Sequence, residues 1–132
     1  MSYNINKVVS FFIFIYSMFF TSLVANEKNN KDIAIHHFMQ GEFLLNQGNY
    51  ALAVLEFQDA LDIDPNAATI HISIADGFRM LGRSKHAENH LEIAITLDSN
   101  DITAREMLGQ LYLLNRQYKL AENQFLALIK ID

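Results

Sequence analysis

The chain has 132 residues, with 10 Lys and Arg against 15 Asp and Glu, so its formal net charge is −5. This length allows one domain of ordinary size and excludes a large multidomain enzyme. Cys is absent, which excludes disulfides, cysteine-ligated zinc and thiol catalysis. An acidic balance without a basic stripe also argues against a nucleic-acid-binding protein.

The first predicted element is an apolar leader, residues 1–25. Its residues 8–25 read VVSFFIFIYSMFFTSLVA and follow a single basic side chain, Lys7. A basic start, an apolar middle and a small last residue, Ala25, are typical of a secretory signal peptide. The run also nearly reaches the ~20 residues of a membrane span. We therefore expect a cleaved signal or an uncleaved anchor, and an exported protein that is periplasmic or anchored at the inner membrane facing outward.

The segment after the leader, residues 26–33, is polar and rich in Asn, which predicts a short tether. Two of its residues, Lys28 and Lys31, lie as close to the apolar run as Lys7 does on the other side. Basic residues set the orientation of a membrane segment. An anchor of opposite orientation, with a cytoplasmic domain, therefore stays open as an alternative.

In the remainder of the sequence, residues of the same kind recur at a fixed spacing of about 34 residues. Gly41, Ala75 and Gly109, for example, are separated by this spacing. The three units are residues 34–67, 68–101 and 102–132, and each contains two apolar patterns at helical spacing, separated by a turn. Small residues recur where the two antiparallel helices of a unit would come closest, and large residues fill the space beside them. The small residues are Gly41, Ala75 and Gly109 with Ala53, Ala87 and Ala121, and the large ones are Phe57, Leu91 and Phe125.

The period and these residues resemble the tetratricopeptide repeat, a helix–turn–helix unit of about 34 residues. The family favours an aromatic near the middle of the first helix, which is Phe78 or Tyr112 here, with Leu44 as a substitute. The resemblance covers residues 34–132 and implies an all-α fold, a right-handed superhelical solenoid of three stacked helix–turn–helix hairpins. Early in the first helix, where the family has a large aromatic, this chain has His37, His71 and Arg105.

The sequence contains no pattern for catalysis, a bound metal or a cofactor, and we expect a non-enzymatic protein. His86 and His90 would share one helix face, but a zinc-protease motif needs Glu directly after the first His, which this chain lacks. Stoichiometric metal at this pair is an alternative. His36-His37 and His71 are interpreted as amphipathic substitutes for the missing aromatic, since no matching carboxylate or Cys set accompanies them.

An acidic run near the end of the first unit is a further candidate for a metal site. Asp59, Asp62 and Asp64 lack the Gly and the terminal Glu of a calcium loop. We interpret them as the solvated end of a helix.

The repeat phase predicts a concave groove formed by the first helices of the units. In proteins that resemble this one, such a face holds a peptide or helix of a partner. The predicted face is apolar with a net acidic character and lacks the Lys/Asn set with which some chaperone-binding relatives clamp a C-terminal carboxylate. It therefore favours an apolar or basic partner segment, although an ordinary solvated scaffold face is the alternative. Its residues are Ile35, Phe38, Glu42, Leu45, Thr69, Ile72, Asp76, Arg79, Thr103, Glu106, Gln110 and Leu113.

The last predicted helix suggests a further contact. Leu126, Leu128 and Ile129 lie on it without the polar capping helix that usually ends a solenoid. We expect this side to be covered by a second copy, by another protein or by a continuation of the chain. The function expected from the whole sequence is an adaptor or assembly factor of the cell envelope. The alternative is a structural subunit of a membrane complex, anchored by residues 8–25, without groove binding.

Overall fold

The computed structural model describes the backbone of residues 5–131 and the side chains of residue 9 and residues 12–131. Six α-helices and no strand occur in this part of the chain. Helices α1 and α2, α3 and α4, and α5 and α6 form three hairpins, which stack through α2 against α3 and α4 against α5. The predicted all-α fold of stacked hairpins is confirmed. The helices are α1 (Ile5–Asn46), α2 (Tyr50–Ile63), α3 (Ala68–Met80), α4 (Ser84–Leu97), α5 (Ile102–Leu114) and α6 (Tyr118–Ile131).

Helix α1 is longer than the sequence predicted. Residues 26–33, expected as a tether, continue the helix without a break, so that α1 has 42 residues. This segment contains neither Gly nor Pro, and Glu27 lies four residues before Lys31. An acid four residues before a base supports a helix, and no residue in the segment interrupts the helical hydrogen bonds. The prediction of a tether from the polar composition of residues 26–33 was therefore wrong, because nothing in this segment prevents a helix.

The N-terminal half of α1 carries exposed aromatic and aliphatic side chains. Tyr16 and Phe19, for example, are each 74% exposed. Among the residues whose side chains are described, no helix contains a stretch long and apolar enough to cross a membrane. The predicted leader also includes residues 1–4, which lie outside the described residues, and Val8, Ser10 and Phe11, whose side chains do.

The turns inside the three hairpins share one backbone geometry. Gly48 and Gly82 have φ of 80° and 70°, and Arg116, at the equivalent position of the third repeat, has φ of 60°. This left-handed conformation ends a helix in the Schellman motif, in which two backbone N–H groups bond back to the last turn. The motif reverses the chain tightly in every hairpin. The outer of the two bonds joins Asn49 to Leu44 at 2.9 Å, Arg83 to Phe78 at 2.8 Å and Gln117 to Tyr112 at 2.8 Å.

The core of each hairpin places a small residue against a large one. A Cβ added to Gly41 would lie 2.5 Å from the ring of Phe57, and one on Gly109 would lie 2.8 Å from the ring of Phe125. Such distances leave no room for a methyl group, so the helices approach as closely as they do because these residues are glycine. The corresponding pair in the second hairpin is Ala75 and Leu91, both buried, and the other small residues, Ala53, Ala87 and Ala121, are buried as well.

Candidate functional site

A cavity of about 350 Å³ lies on the face formed by α1, α3 and α5. We call it the groove cavity. Its α3 residues fall at positions i, i+1, i+4 and i+7, which share one face of a helix. The lining residues are Glu42 and Leu45 of α1, Ile72, Ser73, Asp76 and Arg79 of α3, and Thr103, Met107 and Gln110 of α5.

The floor of the groove cavity is apolar. Leu45, Ile72 and Met107 contribute one half-buried aliphatic or thioether side chain from each of the three helices. Apolar side chains that remain partly exposed in a concave surface are able to bury a partner's apolar side chain. The flexible thioether of Met107 adapts to different shapes.

The polar groups of the groove cavity are held by specific contacts. The Oγ of Ser73, a buried residue, donates a hydrogen bond of 2.7 Å to Oε1 of Glu42 and so links α3 to α1. The Nε of Arg79 donates to Oδ1 of Asp76 at 3.0 Å, and the two groups form an ion pair. Since Asp76 compensates the charge of Arg79, the remaining charge of the cavity is the Glu42 carboxylate. Within the described residues, no ion pair involves Glu42.

Seven of the twelve residues of the predicted concave face line this cavity, and five do not, namely Ile35, Phe38, Thr69, Glu106 and Leu113. Phe38 packs against Phe57, with ring centroids 5.7 Å apart, at the edge of the core cluster formed by buried residues of α2 and α3. Glu106 and Leu113 lie exposed on α5 outside the lining, and Glu106 accepts a hydrogen bond of 3.2 Å from Gln110. The predicted residues that do line the cavity are Glu42, Leu45, Ile72, Asp76, Arg79, Thr103 and Gln110.

Two lining residues, Ser73 and Met107, were missed by the sequence analysis. They occupy the same position in successive repeats, directly after the predicted positions of Ile72 and Glu106. The repeat register could have indicated them. Because a helix turns by about 100° per residue, neighbours can share an edge of one face.

A second, larger cavity of about 710 Å³ lies nearer the N-terminal half of α1. We call it the upper cavity. It is formed by α1, the end of α2 and the start of α3. Three residues of the predicted concave face, Ile35, Phe38 and Thr69, line it together with polar residues such as Glu27 and Lys31. Ten of the twelve predicted residues are therefore divided between two cavities, and the upper cavity depends on the helical continuation of α1.

Each hairpin also contains one polar pair between its two helices, at the same register. The first member stands where the repeat family has its large aromatic, and the second lies 19 residues later. A hydrogen bond between the helices thus occupies the place of an aromatic contact. The pairs are His37 Nδ1 with Glu56 Oε2 at 2.9 Å, His71 Nδ1 with His90 Nδ1 at 3.0 Å, and Arg105 Nη1 with Gln124 Oε1 at 3.3 Å.

The polar pair of the second hairpin consists of two histidines, His71 and His90, joined by a hydrogen bond. For the two Nδ1 atoms to bond, one ring must carry the proton and the other must accept it. Burial lowers the pKa of His71, partly opposed by a hydrogen bond to the backbone of Pro65. Burial, together with the nearby charges of His71 and His86, lowers the pKa of His90 to about 4. Both imidazoles are therefore neutral at pH 7.

A family model of the tetratricopeptide repeat matches residues 20–68. A protein O-mannosyl-transferase of Caenorhabditis elegans is 27% identical over 75 residues, which are 57% of this chain but only 11% of that protein. The chain thus spans about a tenth of the length of this curated relative.

Solved structures share the fold. The second tetratricopeptide domain of Spaghetti (RPAP3), bound to the HSP90 peptide SRMEEVD, has a TM-score of 0.75 at 19% identity and covers 82% of this chain and 99% of that one. The complex of the TPR2B domain of yeast Sti1 with pHsp70 has a TM-score of 0.73 at 18% identity and covers 76% and 80%. The three hairpins therefore have the tetratricopeptide-repeat fold, and the family match supports a tetratricopeptide-repeat protein.

Proposed function

We propose that this protein is a non-enzymatic adaptor or assembly factor that binds a segment of a partner protein in its concave groove. The observation that carries the proposal is the groove cavity between α1, α3 and α5, with an apolar floor and a carboxylate held in place by a buried serine. Two proteins of the same fold were solved with an HSP90 peptide and with pHsp70. The fold is thus able to present a peptide-binding surface, and concave surfaces are the usual ones in solenoids.

The charge of the groove cavity favours a basic partner segment. Arg79 is compensated by Asp76, whereas Glu42 keeps its negative charge and Glu106 lies close by on α5. A peptide with Lys or Arg next to an apolar side chain would pair with Glu42 and bury the apolar group on the floor. An acidic peptide such as SRMEEVD, which Spaghetti binds, would meet a charge of its own sign.

A binding measurement with matched peptides tests this chemistry. Two labelled peptides share one apolar sequence and differ only in alternate residues, which are Lys in one and Glu in the other. We expect the Lys peptide to bind the full chain more tightly by fluorescence anisotropy, and Glu42→Gln to weaken it by about 5- to 10-fold, equivalent to roughly 1–1.4 kcal/mol for one charge-assisted contact. Asp62→Asn, on the exposed side of α2, is the matched control and should change nothing. Equal affinity for both peptides would contradict the proposed charge preference.

A cross-linking experiment in cells tests whether the groove is used. A photoreactive residue at Gln110, which lines the groove cavity, is compared with one at Asp62. We expect a defined partner to be captured from position 110 and not from position 62. Adducts of equal yield from both positions, or self-adducts alone, would contradict groove binding.

For its location we propose the cell envelope, with the protein exported and either periplasmic or anchored at the inner membrane facing outward. The composition of residues 1–25 and the exposed aromatic side chains of α1 support this. Fractionation combined with the mass of the mature protein tests it. A soluble cytoplasmic protein with residues 1–25 intact would contradict it.

The second candidate function is a structural subunit of a membrane complex that is anchored by residues 8–25 and binds nothing in the groove. The exposed apolar half of α1 favours it, because such a surface suits lipid or another apolar helix. It predicts that Glu42→Gln and Gln110→Ala leave the complex intact, whereas charged substitutions at Phe19 and Phe20 disrupt it. Co-purification of the complex with each variant separates the two candidates.

A further inference from the structure

Three potential metal ligands meet between the first two helices. His37 on α1 and Glu56 and Asp59 on α2 place one ligand atom each within 4.8 Å of one another. From the sequence, His37 was interpreted as an amphipathic substitute for an aromatic, because no matching set of Cys or carboxylates accompanies it. The fold supplies them, since the antiparallel hairpin brings residues 56 and 59 back to residue 37. Among the described residues this is the only such group of three.

From this arrangement we propose that His37, Glu56 and Asp59 form a zinc site that joins α1 to α2. A zinc ion bonds His nitrogen and carboxylate oxygen at about 2.0–2.2 Å in tetrahedral geometry, so two ligand atoms around one ion lie roughly 3.3–3.6 Å apart. The Nδ1 of His37 and Oε2 of Glu56 are 2.9 Å apart, a hydrogen-bond distance, so the two atoms need to separate by only roughly 0.5 Å to hold the ion. Asp59 lies one turn beyond Glu56 on the same helix face and is exposed, so its carboxylate is free to rotate towards the ion.

The composition of the site selects the class of metal. One imidazole and two carboxylates suit zinc and its divalent neighbours better than calcium, which takes six to eight oxygen ligands. Both His37 and Glu56 have side chains that are 30% exposed. Solvent therefore reaches the site and supplies water for the remaining coordination positions.

The other hairpins lack this set, although they share its register. The positions equivalent to residues 37, 56 and 59 hold His71, His90 and Ile93 in the second hairpin. In the third they hold Arg105, Gln124 and Ala127, with no metal ligand of the required kind. The proposal is thus specific to the first hairpin, and the second hairpin offers only two donors.

Isothermal titration calorimetry of the untagged full chain in detergent micelles tests the proposal with zinc chloride as the probe. We expect one zinc ion per chain. We also expect the thermal midpoint to rise with zinc concentration, because a ligand that binds only the folded state stabilises it.

Variants distinguish this site from other histidines. Asp59→Asn changes an exposed side chain without loss of packing and should weaken zinc at least tenfold, as even the loss of a group that orients a metal ligand costs ~10–100-fold. His37→Gln should do the same, whereas His36→Gln and Asp62→Asn, the neighbouring controls, should not. Two results would overturn the proposal: no zinc binding by the unaltered chain, or binding that survives Asp59→Asn and is lost in His90→Gln.

Discussion

At the residue scale, the contact between the two helices of each hairpin is formed by one of two combinations of a small and a large side chain. Gly41 faces Phe57 in the first hairpin, and Ala75 occurs with Leu91 in the second. A larger residue on the first helix thus accompanies a smaller one on the second. This is expected in a core at crystal-like density, where total volume is conserved more strictly than identity.

Gly41→Ala is expected to destabilise the chain. The new methyl group would lie 2.5 Å from the Phe57 ring, and overpacking costs about 1–3 kcal/mol, against a gain of about 1 kcal/mol from helix propensity. Thermal unfolding followed by circular dichroism measures the difference. Adding Phe57→Leu recreates the pair of the second hairpin, so the double variant should be more stable than the sum of the single effects predicts. Strict additivity would show that these residues do not compensate each other.

Arg116→Gly is expected to stabilise the third hairpin. Arg116 has φ of 60° where the other hairpins have glycine, and a left-handed conformation costs a non-glycine residue about 1–2 kcal/mol. The greater freedom of glycine in the unfolded chain offsets part of this, so the net gain should be ~0.5–1 kcal/mol in the free energy of unfolding, measured by urea titration. Gly82→Ala, the reverse change at the equivalent position, should lose stability, and the same sign for both variants would contradict the argument.

At the scale of the elements, polar pairs between the helices make part of the stability depend on pH. In the second hairpin, α3 and α4 are joined by His71 and His90, whose pKa values are both lowered, that of His90 to about 4. The unfolded chain binds protons at these rings from about pH 6.5 downward. The folded chain binds them only at lower pH.

Stability should therefore be complete above about pH 6.5 and should fall progressively towards pH 4 as the unfolded state takes up more protons. Free energies of unfolding from urea titrations across this range measure the loss. His90→Gln should make the loss smaller by roughly 1–2 kcal/mol. This value is smaller than the full lowering of the His90 pKa to about 4 would give at 1.36 kcal/mol per pKa unit, because His90 is only half-buried. His36→Gln, which alters an exposed ring, is the control. Identical pH profiles for His90→Gln and the unaltered chain would contradict this origin of the acid sensitivity.

At the scale of the whole molecule, the stack is held together by two neighbouring core clusters. One consists of buried residues of α2 and α3, and the other of buried residues of α3 to α6. Phe78 of α3 packs against both clusters, whereas Phe125 of α6 packs only against the cluster of α3 to α6. In a solenoid, stability is approximately a sum of repeat and interface terms, so a side chain shared by two clusters couples the units.

Phe78→Ala should accordingly reduce cooperativity as well as stability. Removal of a large aromatic from a core costs about 3–5 kcal/mol, and here the loss falls on both clusters. Hydrogen exchange should show α1–α2 and α5–α6 opening separately in this variant. Phe125→Ala should affect mainly α5 and α6. Uniform loss of protection in both variants would show that the chain unfolds as one unit regardless of Phe78.

The sequence alone determined the number of hairpins, their turns and their packing residues. The same pattern of small, large and turn residues recurs in three units, and each unit folds from residues that lie close together in the sequence. The sequence also indicated most of the groove lining, since that face follows from helical periodicity. Tertiary structure decided which side chains from different helices meet. Ser73 reaches Glu42, His71 reaches His90, and Asp59 approaches His37 only because antiparallel helices bring distant residues to one register. Helical spacing along the sequence does not predict contacts between residues so far apart, whereas the geometry of the hairpins brings them together.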